Sequence, residues 1–364
     1  MINKISSPTL VLDKEKCMTN IKSMAKKAEG HHLKFRPHFK THQSLEIADW
    51  FKNFPFDGIT VSSLKMAEFF ANNGWDSITI AFPVNILETD KINILAAKID
   101  LRVLVVSSDT IKYLDAKLDA ELGVYIEIDP DYGRSGISYS DKSKLEDLIY
   151  TIEESKNLTL FGFYAHAGHS YKSRSKNEIL ECSTQLIEDL SNLKNKYNFP
   201  VCFGDTPSCS SLNYFGEIDE ISPGNFVFYD WIQTKIGSCN YDQIAVAMYC
   251  PVVAKYPSRN ELLIHGGAIH FSKDYDLTPD GKPYFGQIVQ YNENGWEKPI
   301  DGCYLKSISQ EHGIISCNTE FYNRTSVGDL VTILPIHSCL AADLMGEYLT
   351  KDGTIIHHLS EKRL

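Results

Sequence analysis

The sequence has no CxxC motif, although nine cysteines are scattered among its 364 residues. An odd number of thiols at irregular spacings argues against the disulfide framework of a secreted domain. We therefore expect reduced cysteines, most of them small residues of the core. Cys339 stands apart, because a histidine lies two residues before it.

Long apolar runs and clusters of positive charge are absent as well. The longest apolar run, from Ile244 to Ala254, is interrupted by Pro251 and is too short to span a bilayer. The first eight residues contain no apolar stretch typical of a signal peptide. We therefore expect a cytoplasmic protein without a membrane partner. The formal net charge of -11 argues against nucleic acid as a partner.

The composition is that of a globular protein, with 43% hydrophobic, 11% aromatic and 23% charged residues. Between about residues 31 and 230, short β-rich runs alternate with helical stretches, the pattern of βα units around a parallel sheet. Eight such units predict an α/β fold with a (β/α)8 TIM-type barrel. The predicted barrel strands are Leu33–Phe39, Gly58–Ser62, Ser77–Phe82, Leu101–Ser107, Val124–Asp129, Leu160–His166, Pro200–Gly204 and Ile221–Phe228.

Helical periodicity disappears after about Ala245, which predicts a C-terminal β domain. Thr9–Leu12 has no partner in the barrel and is expected to pair with this domain, while a first helix is expected over Lys14–Glu29. The predicted domains are a barrel at residues 13–244 and a β domain made of residues 1–12 and 245–364. The predicted C-terminal strands are Val246–Ala254, Glu261–Phe271, Gly286–Tyr291, Tyr304–Ser316 and Asp329–Pro335.

Lys40 lies where the first predicted strand ends, within the segment RPHFKTH (residues 36–42). Barrels of this type build their active sites at the carboxyl ends of their strands. A Schiff-base lysine needs a lowered pKa, and partial burial beside the cations Arg36, His38 and His42 would lower it. The alternative is a surface lysine at a strand end.

Polar residues also follow predicted strands five and six. Arg134 lies in a Gly-rich loop, where its planar guanidinium suits a carboxylate or the phenolate of a cofactor. A solvated loop arginine is the alternative. His166 and His169 lie three residues apart around a glycine, which suits a metal pair, a stacking imidazole with an acid/base, or polar loop residues.

The last two predicted βα loops contain residues suited to a phosphate. Thr206 and Ser208 offer hydroxyl groups, and Gly224 and Asn225 allow a close approach of the backbone. On its own, Gly-Asn is a turn signal. Together the two loops predict a phosphate cradle, and a simple turn at Gly224-Asn225 is the alternative.

His337 and Cys339 follow the last predicted strand and would point to one side if the extended backbone continued. An imidazole and a thiol are too few for a closed structural zinc site, which has four ligands, but they leave positions open for water or substrate. The alternative is a structural role for both residues.

Taken together, these segments resemble the D-threonine aldolase and metal-dependent D-serine dehydratase group of alanine-racemase-like, fold-type III enzymes that use pyridoxal 5'-phosphate (PLP). The resemblance covers nearly the whole chain. The fold of the group, an N-terminal β/α barrel with a C-terminal β domain, agrees with the periodicity. The most specific segments are RPHFKTH (36–42), YAHAGHSY (164–171), GDTPS (204–208) and PGNFVFYD (223–230).

The resemblance implies that PLP forms a Schiff base with Lys40. It also implies that His337 and Cys339 hold a divalent metal, zinc or else manganese or magnesium, which binds the β-hydroxyl of the substrate. The implied cofactor contacts are Arg134 near the ring oxygen, Tyr164, His166 stacked near the ring, and Thr206, Gly224 and Asn225 near the phosphate.

The implied activity is that of a lyase acting on small D-3-hydroxy amino acids, with Lys40, Arg134 and His169 as catalytic candidates. If Lys40 removes the Cα proton and the β-hydroxyl leaves, the products are a keto acid and ammonia. If His169 removes the proton of the β-hydroxyl, the Cα–Cβ bond breaks into glycine and an aldehyde. The thiol of Cys339 is more typical of the zinc-dependent dehydratases, so D-serine dehydratase activity is favoured.

Other classes stay open. An alanine-racemase-like enzyme needs a second acid/base on the opposite face of the substrate and no metal pair. A non-catalytic PLP-binding protein of this fold type would lack the β domain, and a plain scaffold would bind no cofactor. His265 stands where the family commonly has aspartate, which suggests a divergent branch with another substrate. A homodimer is typical of this fold type.

Overall fold

Eight parallel strands form a barrel in the computed structural model, which describes residues 5–292 and 295–359. The contacts divide these residues into two compact units. We call Lys22–Lys40 together with Phe51–Gly224 the barrel unit. The β unit contains the residues up to Ile21, Thr41–Trp50 and the residues from Asn225 onward.

The strands and helices alternate through the barrel unit and become mostly strands in the β unit. The strands are β1 Thr9–Leu12, β2 Lys34–Phe35, β3 Ile59–Val61, β4 Ser77–Pro83, β5 Asp100–Val105, β6 Leu122–Asp129, β7 Ile137–Ser138, β8 Leu158–His166, β9 Val201–Gly204, β10 Glu220–Ile221, β11 Val246–Tyr256, β12 Glu261–His265, β13 Asp276–Leu277, β14 Pro283–Tyr284, β15 Gly286–Asn292, β16 Gly295–Ile308, β17 His312–Ser316, β18 Leu330–Pro335, β19 Glu347–Thr350 and β20 Ile355–His357. The α-helices are α1 Lys14–Gly30, α2 Leu45–Phe51, α3 Leu64–Ala71, α4 Thr89–Ala96, α5 Ser108–Lys117, α6 Lys142–Glu153, α7 Lys176–Tyr197, α8 Thr206–Ser211, α9 Trp231–Ile236, α10 Ala268–Phe271, α11 Thr319–Arg324 and α12 Ser338–Met345.

Local sequence signals explain where several helices begin. Ser63, Ser107 and Ser175 precede α3, α5 and α7, and each side chain accepts a hydrogen bond from the backbone N–H three residues later. These bonds satisfy donors that the first helical turn leaves without partners. The barrel helices therefore begin directly after the loops that follow the strands.

The barrel strands run in the order β3, β4, β5, β6, β8, β9, β10 and β2, with β7 paired to β6. The ring closes where His38, three residues after β2, pairs with Thr60 in β3. At this closure the N–H of Phe39 donates to the carbonyl of Thr60 over 2.8 Å. Leu104, Tyr125, Tyr164 and Cys202 form one buried cluster of the barrel core.

A buried ion pair ties the two short strands at the closure together. Nε of Arg36, directly after β2, lies 3.0 Å from Oε2 of Glu220 in β10, and both side chains are at most 5% exposed. The guanidinium also donates to the carbonyl of Asp57 over 2.7 Å. Gly58 has a φ of +116°, and a Cβ atom there would collide with Nη1 of Arg36. Glycine is therefore required at this position.

In the β unit, six antiparallel strands pair in a closed ring, β11–β12–β17–β16–β15–β18 and back to β11. Strand β1 pairs antiparallel with β11 and parallel with β19, which in turn pairs with β20. The expected pairing of Thr9–Leu12 with the β domain is therefore present.

The predicted TIM-type barrel with a C-terminal β domain is confirmed, and four predicted strands are wrong in extent. The first barrel strand, predicted as Leu33–Phe39, covers only Lys34–Phe35. The eighth barrel strand covers only Glu220–Ile221, because Pro223 and Gly224 end it before the 3-10 turn Asn225–Val227. Glu261–Phe271 ends as a strand at His265. Tyr304–Ser316 belongs to two strands, β16 and β17, joined by residues 309–311.

None of the helices within residues 5–292 and 295–359 is both long enough and apolar enough to cross a membrane. The predicted domain boundaries at residues 13 and 244 stay a prediction.

Candidate active site

A cavity of about 310 Å³ lies in the barrel unit, at the carboxyl ends of its strands. Ligand sites have volumes of about 300–1,000 Å³, so this cavity suits a small molecule. It brings together four of the residues singled out from the sequence, Lys40, Arg134, Tyr164 and His166. The other lining residues are His38, Ser62, Ala81, Phe82, Pro83, Glu127 and Ser135.

Lys40 lies in the turn after β2, and its backbone N–H donates to Nδ1 of His38 over 3.4 Å. Burial lowers the pKa of His38 well below its usual range, and the charges of Lys40 and His166 lower it further. His38 is therefore neutral and contributes a hydrogen-bonding ring to the cavity.

Two expectations about Lys40 are wrong: that three cations lie beside it, and that it is partly buried. Arg36 is paired with Glu220, while burial lowers the pKa of His42 to about 3 and leaves that imidazole neutral. Lys40 itself is exposed rather than partly buried. A lowered pKa for Lys40 stays a prediction, but neighbouring cations and partial burial no longer support it.

His166 ends β8 and has a defined tautomer. Its Nδ1 lies 2.7 Å from the carbonyl oxygen of Gly204, and since a carbonyl only accepts, Nδ1 carries the proton. Burial lowers the pKa of His166 to about 3, with further contributions from Arg134 and Lys40. The ring is therefore neutral and offers an uncharged aromatic face to the cavity.

Glu127 is a cavity residue that the sequence reasoning missed. Its Oε1 accepts a hydrogen bond from Ser135 over 2.6 Å, whereas its buried Oε2 has no partner among the described residues. Burial raises the pKa of Glu127, against the hydrogen bond from Ser135 and the charge of Arg134. A charged residue within a strand that has no other charged residue between Leu122 and Ile128 was the signal that could have identified it.

Arg134 and Tyr164 differ in their surroundings. The guanidinium of Arg134 is exposed and has no hydrogen-bond acceptor within residues 5–292 and 295–359, so its donors suit an anionic ligand. Tyr164 is buried in the core cluster, and burial raises the pKa of its hydroxyl. Arg134 is thus available to a ligand, while Tyr164 forms part of the cavity wall.

His169 and Thr206 are not among the residues that line the cavity. His169 is half-buried in the 3-10 turn Gly168–Lys172, and its charge acts on Asp205. Burial raises the pKa of Asp205 to about 6, against hydrogen bonds from Ser170 and Ser208. Thr206 is buried at the start of α8. The roles assigned to His169 and Thr206 stay predictions.

Gly224 is the last residue of the barrel unit, and Asn225 is the first of the next segment of the β unit. The Asn225 amide donates to Asp230 over 2.7 Å and to Oγ of Ser338 over 3.0 Å, and it lies 3.4 Å from Sγ of Cys339. Its side chain therefore supports Cys339, and a role beside a phosphate stays a prediction for the backbone.

His337 and Cys339 meet in the β unit, although their backbone does not continue as a strand. His337 is extended, and α12 begins at Ser338 because Asp230 accepts hydrogen bonds from both the N–H and the hydroxyl of that residue. The expectation of a continuing extended backbone is wrong. The first helical turn brings the thiol to the imidazole instead.

The thiol and imidazole form a polarised pair. Burial raises the pKa of Cys339, but hydrogen bonds from His337, Thr41 and Asn225 outweigh it and leave the thiol pKa lowered. Burial lowers the pKa of His337, but Asp274 and Cys339 raise it well above its usual range. A thiolate is the form in which cysteine binds metal.

Asp274 is a second residue that sequence reasoning missed. Its Oδ2 accepts a hydrogen bond of 2.7 Å from Nδ1 of His337. Since Nδ1 is engaged by Asp274, Nε2, which faces Cys339, is the nitrogen that would bind a metal in exchange for its proton, as in the carboxylate–histidine pairs of metal sites. Asp274 lies 63 residues before His337, so no local spacing could have pointed to it.

The residues present fit both groups that the resemblance implies. The cavity joins a lysine, an arginine and a neutral histidine, which suits an anionic aromatic aldehyde cofactor. The imidazole and thiolate of His337 and Cys339 suit a borderline-soft divalent ion such as zinc.

Two family models match the chain. The alanine racemase N-terminal domain matches residues 12–230, and the serine dehydratase domain matches residues 245–350. These matches follow one another along the chain.

Full-length relatives agree with these matches. D-serine dehydratase of Dictyostelium discoideum is 29% identical, with 98% of this chain and 96% of that protein covered. D-threo-3-hydroxyaspartate dehydratase of Delftia sp. (strain HT23) is 25% identical, with 96% of each covered. A structure of a cysteine-to-alanine mutant of D-threo-3-hydroxyaspartate dehydratase in the metal-free form has a TM-score of 0.89 at 23% identity, covering 98% of each chain.

Proposed function

This chain belongs to the family of the alanine racemase N-terminal domain, and from this premise we propose that it is a PLP- and zinc-dependent dehydratase of D-serine or a similar D-3-hydroxy amino acid. The observation that carries the proposal is the thiol–imidazole pair of Cys339 and His337, held by Asp274. A racemase has no need of such a pair. The full-length similarity to D-serine dehydratase of Dictyostelium discoideum supports the same substrate class.

The cavity residues have separate tasks in this proposal. When bound, PLP withdraws electrons from Cα, and a divalent metal acts as a Lewis acid at the β-oxygen. Nζ of Lys40 holds the cofactor and then takes the Cα proton. The guanidinium of Arg134 would bind a planar anion, and neutral His166 would support the cofactor ring without adding charge.

The β unit supplies the residues that would hold the metal. His337 offers Nε2 because Asp274 occupies Nδ1, and Cys339 offers a thiolate that Thr41 and Asn225 approach within 3.3 and 3.4 Å. Thr41, which follows Lys40 directly in the chain, is thus one of the contacts of the proposed metal thiolate. The donor set favours zinc over manganese or magnesium.

Product analysis tests the reaction. The holoenzyme with zinc is incubated with D-serine and with D-threonine. We expect pyruvate and ammonia from D-serine, and a 2-oxo acid and ammonia from D-threonine. Glycine and acetaldehyde from D-threonine would instead establish aldol cleavage, with His169 as the candidate base. Failure to act on either substrate, or equal rates with the L-isomers, contradicts the proposal.

Substitution of the thiol tests the metal. Cys339→Ala should retain PLP absorbance and lose at least about ten-fold in zinc-dependent turnover, since changes around a metal site commonly cost 10–100-fold. Cys182→Ala, at a half-buried cysteine on α7, is the matched control and should keep its activity. Turnover of wild type that survives chelation would argue for a racemase-like or other metal-independent reaction. A homodimer and a cytoplasmic location stay predictions from the resemblance.

A further inference from the structure

Two histidines and a glutamate come together in the β unit, apart from the residues assigned to the proposed active site. His265 ends β12, His270 lies in α10, and Glu311 lies in the turn between β16 and β17. One ligand atom from each residue lies within 4.8 Å of the other two. We propose that these side chains form a second binding site for a divalent cation of the zinc class.

The spacing of the side chains suits a cation better than an ion pair. Nε2 of His265 lies 3.6 Å from Oε2 of Glu311, which is too long for a hydrogen bond. Zinc bonds of about 2.0–2.2 Å in a tetrahedron place neighbouring ligand atoms roughly 3.3–3.6 Å apart. The rings of His265 and His270 stand edge to face with centroids 5.7 Å apart.

Backbone hydrogen bonds hold the two segments that carry these residues. The N–H of Gly266 donates to the carbonyl of Glu311 over 2.8 Å, and the N–H of Ala268 donates to the carbonyl of Ser309 over 2.7 Å. A Cβ atom on Gly267 would collide with the carbonyl of Ser309. The close contact of the two segments therefore holds the backbone positions of the three residues in place.

One adjustment accompanies binding. Nδ1 of His270 accepts a hydrogen bond from the N–H of Gly267 over 3.1 Å, so the neutral ring carries its proton on Nε2. Coordination through Nε2 therefore displaces that proton, and if the proton moves to Nδ1 the hydrogen bond from Gly267 is lost. The side chains of His265 and Glu311 are 42% and 44% exposed, so a cation reaches them directly from solvent.

The charge and ligand count predict an open site. Two neutral imidazoles and one carboxylate leave a divalent cation with one positive charge and a fourth position for water or an anion. The site does not follow from the family resemblance, since His265 stands where the family commonly has aspartate. It is also independent of the proposed reaction, because none of its residues belongs to the cofactor cavity or the His337–Cys339 pair.

Zinc titration of the chelator-treated, PLP-loaded protein tests the proposal. In the Cys339→Ala background, which removes the thiol ligand of the other pair, we expect one equivalent of Zn²⁺ by competition with a chromophoric chelator. Adding His265→Asn or Glu311→Gln should abolish that equivalent. Adding His312→Gln should not, and this makes a matched control because His312 pairs with His265 across β12 and β17 but lies outside the cluster.

Cobalt supplies a second readout. Co²⁺ bound to Cys339→Ala should show visible ligand-field absorption without a thiolate charge-transfer band, and His265→Asn should remove this absorption. Unchanged thermal midpoints and PLP absorbance in each variant would show that the proteins are folded. If Cys339→Ala binds no zinc, or if the His265→Asn and Glu311→Gln variants in that background still bind one equivalent, the proposal is overturned.

Discussion

At the residue scale, two functional histidines each have a hydrogen-bond partner that determines which ring nitrogen carries a proton. Gly204 accepts from Nδ1 of His166, and Asp274 accepts from Nδ1 of His337. In both cases Nδ1 carries a proton, and Nε2 is the nitrogen on the side of the ring away from this partner. The two histidines nevertheless differ in pKa, because burial, Arg134 and Lys40 lower that of His166 to about 3, whereas Asp274 and Cys339 raise that of His337 against its burial.

Asp274→Asn tests the carboxylate behind His337. We expect zinc affinity at the His337–Cys339 pair to fall about 10–100-fold, because an amide orients the imidazole without raising its basicity. Competition with a zinc chelator measures this loss. Asp280→Asn, which removes an exposed carboxylate that is paired with Lys282, is the control. Equal zinc affinity of Asp274→Asn and wild type would show that Asp274 does not support a metal ligand.

At the element scale, the barrel depends on a closure made by very short strands. Strands β2 and β10 have two residues each, and Arg36 with Glu220 lies between them. A buried ion pair of this kind costs about 3–5 kcal/mol when one partner is displaced. The closure has few hydrogen bonds between its strands, and side-chain contacts therefore contribute much of its stability.

Gly58→Ala is expected to disrupt this closure. The new Cβ collides with Nη1 of Arg36, and the positive φ adds strain. We expect a loss of about 3 kcal/mol or more in the free energy of unfolding, measured in urea. Gly74→Ala shares a positive φ, but its Cβ would meet no atom of the described residues within 4 Å, so it should lose only about 1–2 kcal/mol. Equal losses for both variants would mean that the contact with Arg36 has no energetic effect.

Sequence patterns located most barrel strands because buried parallel strands are apolar on both faces and short. The patterns failed at turns that lack glycine, proline, asparagine and aspartate. Residues 309–311 are Ser, Gln and Glu, so the end of β16 and the start of β17 read as one strand. The last two strands, β19 and β20, and helix α12 were missed, since a short helix after a strand has too few turns to show periodicity.

The candidate site was predictable where polar, chemically reactive residues follow the ends of predicted strands. Lys40, Arg134 and His166 were identified in this way and line one cavity. Glu127 and Asp274 were not, because their contacts depend on the folded chain rather than on spacing along it. The supposed cations near Lys40 failed for the same reason, since burial leaves His38 and His42 neutral.

At the scale of the whole molecule, buried neutral histidines make stability depend on pH. Burial lowers the pKa values of His42 and His166 to about 3 and shifts that of His38 in the same direction. In an unfolded chain histidine titrates near 6.5. As the pH falls below about 6.5, the unfolded chain takes up these protons first, so stability present at neutral pH is lost on acidification.

His42→Gln should weaken this dependence. Between pH 6.5 and 5, one such histidine costs roughly 2 kcal/mol of stability, so the thermal midpoint of wild type should fall on acidification by more than that of the variant. His357→Gln, at an exposed histidine of β20, should behave like wild type. A wild-type midpoint that is the same at pH 7 and pH 5 would contradict the predicted neutrality of the buried rings.

Borohydride reduction of the PLP-loaded protein, followed by peptide mapping, tests the central claim most directly. Reduction turns a Schiff base into a stable bond that survives digestion. The predicted result is a phosphopyridoxyl group on the peptide that contains Lys40, and its loss in Lys40→Ala. A label on another lysine, or no label on a protein that binds PLP, would contradict the assignment of Lys40 and of the cavity around it.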